Sequence, residues 1–226
     1  DIATDRVELG LGILTGLARR PDGLIGRTLK ADGSGFLDDT PDLYDIAFTL
    51  FALGEADAAL GGSGETRASA SALLDSVDRQ MRDRVNGGYA EELPPPEGRD
   101  GDIVEPGHQF EWVWLLHQYA AATGVPVPEV AGTLYAFACA TLDDAGRACQ
   151  EVTRDGGPAD SSRRTWPQTE ALKAHLAMYE QTGDERYAFA ACTSFDVLLD
   201  EFLTVDGGWI DHYGADGEVI AQDMPA

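Results

Sequence analysis

Two residues near the middle of the chain are the first that could do chemistry: His108 and Glu111, in EPGHQFEWVWLL at positions 105–116. On a helix, side chains three apart share a face, which Trp112 and Leu115 then continue. Pro106 suits a first helical turn, where a missing N–H leaves no bond unmade, and Glu105 sits well against the positive helix end. That end disfavours an imidazolium, so the ring at 108 stays neutral and able to accept a proton, and a neighbouring carboxylate can orient it. The same residues also fit a polar cap over a buried Trp and Leu stripe. A second stretch, SSRRTWPQTEALKAHLAMYEQTGDERY, sets Trp166 and Glu170 one turn apart, with Gln168 near the helix start and Arg163 and Arg164 just outside it. Thr165 or Trp166 is the expected cap, Pro167 falls in the first turn, and a Glu170–Lys173 surface pair is the plainer account of the acid. A third, GGWIDHYGADGEVIAQDMPA, gathers Trp209, Asp211, His212 and Asp223 in a loop region, where binding residues concentrate, although turn chemistry alone accounts for His212. His117 and His175 fall in apolar helices and read as core or edge histidines.

No metal-ligand spacing, phosphate-cradling loop, dinucleotide fingerprint or GxSxG elbow is present. Cys139, Cys149 and Cys192 form neither a disulfide framework nor a zinc pattern. What remains is acid–base chemistry on an uncharged substrate: a His and Glu pair, flat tryptophan faces, and Arg and Gln donors. That set suits a sugar.

The elements that must position these residues are helical. In DLYDIAFTLFALGEADAAL, Leu43, Ile46, Ala47, Leu50, Phe51 and Leu53 recur at helical steps behind a candidate N-cap, Asp42. A second helix is predicted from about Thr66 to Val85, stopped by Gly87, Gly88 and the prolines that follow. Helix, break, helix and glycine turn recur over 42–96, 106–156 and 165–213, after a lone helix at 4–19 and a Gly-bounded hairpin in PDGLIGRTLKADG. One domain over 1–226, an all-α repeat with short β-hairpins at its loop end, is expected. Periodicity alone leaves an α/α solenoid and an α/α toroid both open.

Composition narrows the partners. The 226 residues are 43% apolar, enough for a sizeable core, and 40 Asp and Glu against 16 Lys and Arg give a net charge of -24. Such a surface repels phosphate backbones and anionic lipids, so neither nucleic acid nor membrane is an expected partner. No apolar run approaches the ~20 residues of a spanning helix, and the acidic start lacks a basic leader, so a cytoplasmic protein is expected.

Taken together, EPGHQFEWVWLL, RRTWPQTEALKA, DLYDIAFTLFAL and the GGWIDHY segment, in their arrangement along the chain, resemble the N-acylglucosamine 2-epimerase superfamily, most closely its mannose isomerase branch. The resemblance implies an α/α toroid of the (α/α)6-barrel type and aldose–ketose isomerisation or 2-epimerisation through an enediol, without metal or redox cofactor. Carried over by similarity, His108 is the catalytic histidine and Glu111 its supporting carboxylate. Trp166, Gln168 and Glu170 contact the sugar, Tyr44 and Asp45 lie near the pocket mouth, and Trp112, Trp114 and Arg163 or Arg164 serve as wall residues.

The chain departs from the family in length. It carries three hairpins and a half where a closed toroid has six, so the barrel is expected to be incomplete and a homo-oligomer is one way to cover it. The family's N-terminal part with its substrate-binding arginine has no counterpart. Neither does its Asn-Pro-His-Met-His segment, because GGYAEELPPPEGRDG runs almost directly into DIVEPGH. The sequence ends at DMPA, ahead of the helix that carries the family's other catalytic histidine. Epimerisation at C2 returns the proton to the opposite face and so calls for two acid–base groups, whereas isomerisation moves it between C2 and C1 on one face. His108 acting alone therefore favours isomerisation of the mannose-to-fructose type. Alternatives are a 2-epimerase, a non-catalytic sugar-binding or oligomer-forming relative, and a glycoside-active enzyme using a carboxylate pair such as Asp45 and Asp211.

Overall fold

A computed structural model describes residues 2–62, 64–95 and 97–221. The chain divides into two compact units, one made of Asp1–Asp83, Tyr89–Gly101 and Leu115–Pro128, the other of Arg84–Gly88, Asp102–Trp114 and Glu129–Ala226.

The first unit is built around two consecutive helices, α2 (Leu43–Ala59) and α3 (Gly64–Gln80), that follow α1 (Ile2–Gly12) and the two-stranded hairpin of β1 (Thr28–Leu29) and β2 (Phe36–Asp38). Asp42 caps α2 as its sequence position predicts, its Oδ1 accepting the N–H of Asp45 at 3.2 Å. Leu43, Ile46, Ala47, Leu50 and Leu53 of α2 are buried, as are Ala70, Leu73 and Val77 of α3. α1 is shorter than the expected 4–19, passing at Ile13 into a wider π-type turn that runs to Leu17. Gly10, Gly12 and Gly16 fall in or beside that change, where their weak helix propensity offers least resistance. α3 stops at Gln80 and not at Val85, because Arg82 pairs with Tyr89 across an antiparallel bridge and the Met81 carbonyl takes the N–H of Ala90 at 2.9 Å.

In the second unit the same design appears twice: a two-residue strand in a small antiparallel sheet leads straight into a long helix. β3 (Ile103–Val104) pairs with β4 (Glu151–Thr153), which pairs with β5 (Pro158–Asp160), and α4 starts two residues past β3 at Pro106. β6 (Arg163–Arg164) pairs with β7 (His212–Tyr213), which pairs with β8 (Val219–Ala221), and α6 starts at Thr165. α4 (Pro106–Thr123) passes from this unit into the other at Leu115. α5 (Val130–Ala140) packs Phe137 against Val104 and Val152 in a small apolar core that Cys149 borders. α6 (Thr165–Thr182) lies on α7 (Glu185–Val197), with Ala171, Ala174, Ala177, Ala191 and Ser194 buried. Side chains this small let two helices approach toward the short end of the usual ~8–10 Å range. Gly183 ends α6 at φ 66°, and Asp184 caps α7 through the N–H of Arg186 at 3.0 Å.

The cap of α6 differs from expectation. Neither Thr165 nor Trp166 occupies it; the helix begins at Thr165 itself, after Arg164. The Thr165 hydroxyl donates to the Ile210 carbonyl at 2.6 Å and its N–H to the Asp211 carbonyl at 3.0 Å, so the segment entering β7 claims the groups that a cap would use.

Candidate active site

The first turn of α4 is held from both sides. The Glu105 carbonyl accepts the N–H groups of His108 at 3.1 Å and Gln109 at 3.4 Å, while its carboxylate Oε2 accepts from Gln150 Nε2 at 3.2 Å. Since Glu105 follows β3 directly, the sheet register fixes where the helix starts and therefore where His108 stands. His108 is half-buried, and Glu111 follows it on the same face, buried.

β6 sets α6 in the same way, with Trp166 in the first turn. The His108 and Trp166 rings meet with centroids 5.1 Å apart and planes tilted by 40°. Trp166 also borders an open hollow of about 330 Å³, lined in addition by Thr165, Thr169, Trp209 and Asp211. At its edge Arg164 Nη2 donates to Asp211 Oδ2 at 2.8 Å. The arrangement therefore offers a proton acceptor, two indoles and a fixed ion pair, the groups expected of a site for a neutral polyol.

The other predicted residues are placed differently. Gln168 is 1% exposed and turns inward: its Oε1 accepts the N–H of Ala148 at 2.9 Å, and its Nε2 donates to the carbonyls of Ala148 at 2.8 Å and Arg164 at 3.0 Å. From there it pins the loop beside the helix start, so any influence on a sugar passes through that loop. Trp112 is fully buried core. Glu170 accepts from Lys173 Nζ at 2.6 Å, and the same ammonium lies 4.1 Å from the centre of the Trp114 ring. Tyr44 and Asp45 belong to α2 in the first unit, where Tyr44 is 48% exposed and packs on Phe48 with ring centres 4.7 Å apart. Burial pushes the Asp45 carboxyl above its usual range and the charge of Asp42 adds to this, with Arg27 opposing. Within the second unit the structure thus assembles His108, Trp166 and Arg164 together with Trp209 and Asp211.

In the sequence Trp209 is only a loop residue, and Asp211 a loop residue or one of a carboxylate pair; what recruits both is the pairing of β6 with β7, which no local pattern announces. His212 sits beside them on β7, its Nε2 3.0 Å from the Ser162 hydroxyl. Asp223 lies outside the described residues. His175 is core, as its setting predicts: Nδ1 is 2.7 Å from the Tyr135 hydroxyl, and burial pushes the imidazole down to about 4. His117 is likewise buried. Among the described residues no group of three His, Cys, Asp or Glu side chains is placed to hold a metal ion, and no helix is long and apolar enough to cross a membrane. A larger hollow of about 400 Å³ beside α1 is lined by Val7, Leu11, Leu14 and Ala52, with Glu55 its one titratable group, and lacks any acid–base pair.

Comparison with known proteins decides the family. The model of the N-acylglucosamine 2-epimerase family matches residues 1–100 and 93–226, which together span the chain. The chain belongs to the N-acylglucosamine 2-epimerase family. The two matches overlap at residues 93–100. A mannose-6-phosphate isomerase of Rhizobium meliloti is 37% identical over 140 residues, covering 58% of this chain and 36% of that protein. A D-mannose isomerase of Thermobifida fusca is 33% identical over 113 residues, covering 47% and 28%. The structure of cellobiose 2-epimerase from Bacillus thermoamylovorans superposes with a TM-score of 0.76 at 17% identity, covering 96% of this chain and 59% of that one. The fold is thereby of the α/α-toroid type that the hairpin repeats and the family resemblance led us to expect. The chain spans 28% to 59% of the length of these three epimerase-family relatives.

Proposed function

We propose that this epimerase-family chain acts as an aldose–ketose isomerase on a free sugar of the mannose type. The observation that carries the proposal is the His108 ring set against the Trp166 indole, each in the first turn of its helix. The sugar ring or its open chain rests on the apolar face of Trp166, with Trp209 closing the hollow and the Arg164–Asp211 pair and Glu170 offering polar edges. His108 takes the proton from C2, and the pair of electrons left behind forms the C1–C2 double bond of an enediol while O1 gains a proton. The imidazolium then returns its proton to C1 on the same face, and O2 loses its proton to become the ketone. Glu111 orients the ring and balances its positive charge between the two steps. The N-terminal N–H groups of α4 and α6 favour the negative charge that develops on the enediol oxygens.

In this reading the reaction uses no metal or redox cofactor, Gln168 and Trp112 support the wall, and the chain works as one domain in the cytoplasm. The partners are the sugar and, in a homo-oligomer, other copies of the chain; a net charge of -24 keeps polyanions away. A single base acting on one face is what favours the isomerase over the 2-epimerase.

Incubation with mannose in deuterated water tests this. We expect deuterium at C2 of recovered mannose and conversion to fructose, both abolished in His108→Ala with the helical circular dichroism unchanged. Retained turnover in that variant removes His108 from the mechanism. Glucose appearing ahead of fructose identifies a 2-epimerase, saturable binding without label identifies a sugar-binding protein, and release of reducing ends from a disaccharide identifies a glycosidase.

A further inference from the structure

Gly107 stands in the first turn of α4 between Pro106 and His108, and its backbone gives no reason for a glycine. Its φ is not among the positive values that glycine alone tolerates, and inside a helix glycine is worse than alanine by about 1 kcal/mol. The reason lies across the gap. A Cβ built on Gly107 would stand 2.3 Å from Cζ3, 2.4 Å from Cη2 and 3.1 Å from Cε3 of Trp166, where carbon atoms prefer about 3.5–4.0 Å. Other helical glycines are unlike it. Gly10, Gly12, Gly64 and Gly132 have nothing within 4 Å of that position, and Gly54 meets the Tyr119 ring only at an ordinary 3.4 Å.

We propose that Gly107 is a positioning residue, whose missing side chain lets the outer edge of the Trp166 indole lie on the first turn of α4 and so sets the indole at its distance from His108. The inference rests on the isomerase reading for its consequence and on geometry alone for its cause. Any side chain at 107 pushes the six-membered ring of Trp166 outward by more than 1 Å if ordinary contact is to be restored. The clashing atoms are the outer end of the Trp166 side chain, while the start of α4 is tied through the Glu105 carboxylate to Gln150, so the ring gives way first. The displaced ring moves into the hollow that Trp209 and Asp211 share with it. A sugar resting on it then presents C2 away from His108, and a misplacement of this size is enough to cost a large factor in rate. Gly107 thus contributes no group to the reaction and yet decides the spacing between the base and the sugar platform.

The test compares wild type, Gly107→Ala, Trp166→Phe and the double variant, each labelled with 5-fluorotryptophan. Three measurements are made: the fluorine spectrum, thermal unfolding, and the kinetics of deuterium exchange into mannose. The Trp166 resonance is the one missing in Trp166→Phe. We expect Gly107→Ala to shift that resonance, to raise KM for mannose on the order of tenfold and to lower kcat. The shorter Phe ring removes the clash, so adding Gly107→Ala to Trp166→Phe should leave its melting temperature and its KM unchanged. An unmoved Trp166 resonance in Gly107→Ala, or equal harm from Gly107→Ala with and without Trp166, overturns the inference. A wild type that exchanges no deuterium sinks the isomerase reading instead, while the fluorine and melting data still decide whether Gly107 positions Trp166.

Discussion

Replacing Gln168 with leucine separates two roles that the sequence cannot tell apart. The family resemblance assigns Gln168 to the sugar, whereas its buried amide makes three hydrogen bonds to backbone: to the N–H and C=O of Ala148 and to the C=O of Arg164. Leucine fills a similar volume and keeps none of them. Ala148 is fully buried, so its N–H and C=O are both stranded away from water, at about 1–3 kcal/mol each. The Arg164 carbonyl belongs to a half-buried residue and can turn to solvent, so its loss counts for less. Burial of the leucine side chain returns roughly 1–2 kcal/mol. The net expectation is a destabilisation of about 3 kcal/mol, or a fall in melting temperature of roughly 6–12 °C for a chain of this size. Urea unfolding followed by circular dichroism reads the first figure. KM for mannose, measured where the variant is still folded, should change little. The opposite pattern, stability within 1 kcal/mol of wild type and a KM raised tenfold or more, would refute the reasoning and put the amide on the substrate. Gln168→Glu adds a check on direction: its carboxylate can accept from the Ala148 N–H but has no proton for the carbonyls, so its deficit should shrink as acidification supplies one.

His175 should make the fold sensitive to acid. Its imidazole titrates near 4 in the folded protein against 6.5 ordinarily, because burial disfavours the charged form. The unfolded chain takes up a proton that the folded one refuses, so this contribution is fully present above pH 6.5 and is lost as pH falls toward 4. The gap corresponds to roughly 3 kcal/mol. In His175→Gln, which keeps an acceptor for Tyr135, that part of the difference in urea stability between pH 7 and pH 4 should vanish; an unchanged difference would assign the acid sensitivity elsewhere. Gly87→Ala meets two obstacles, a φ of 82° and a Cβ 2.3 Å from Thr133 Cγ2, and should cost on the order of 2 kcal/mol. Adding Thr133→Ala should recover about half, since it removes the clash and leaves the backbone strain; full recovery would show that the left-handed conformation carries no cost there.

How far the sequence discloses this molecule depends on the range of the interaction involved. Asp42 as a cap and the apolar face of α2 are decided within a few residues, and the structure has each where local pattern puts it. α3 ends five residues before the expected Val85 because the Arg82–Tyr89 bridge, a pairing across a turn, takes over before the helical pattern runs out. The cap of α6 escapes local pattern for a like reason, since Ile210 and Asp211 lie more than forty residues from Thr165. Among tryptophans, type says nothing of place: Trp112 is buried core while Trp166 borders the hollow, and only the angular position on each helix, set by its neighbours, separates them.

The candidate site carries the same lesson one step further. His108 and Trp166 lie nearly sixty residues apart, and what brings their rings to 5.1 Å is the starting point of two helices. Each start is dictated by a strand of two residues in a three-stranded sheet, so the sheet registers act as the site's alignment marks. In the second sheet Arg164 pairs with His212, which places Asp211 one residue before the pair and within reach of the Arg164 guanidinium at 2.8 Å. Slipping that register by one residue would reverse which side chains of the Trp209–Tyr213 segment face α6, because successive residues of a strand point to opposite faces. Trp209 and Asp211 would then leave the hollow together, and Trp166 would lose its facing wall while every motif in the sequence stayed intact. On the proposed isomerase reading, then, the chemistry is written in the motifs around His108 and Trp166, but the spacing that would make it usable rests on two short sheets and one glycine, features that carry no chemical signature of their own.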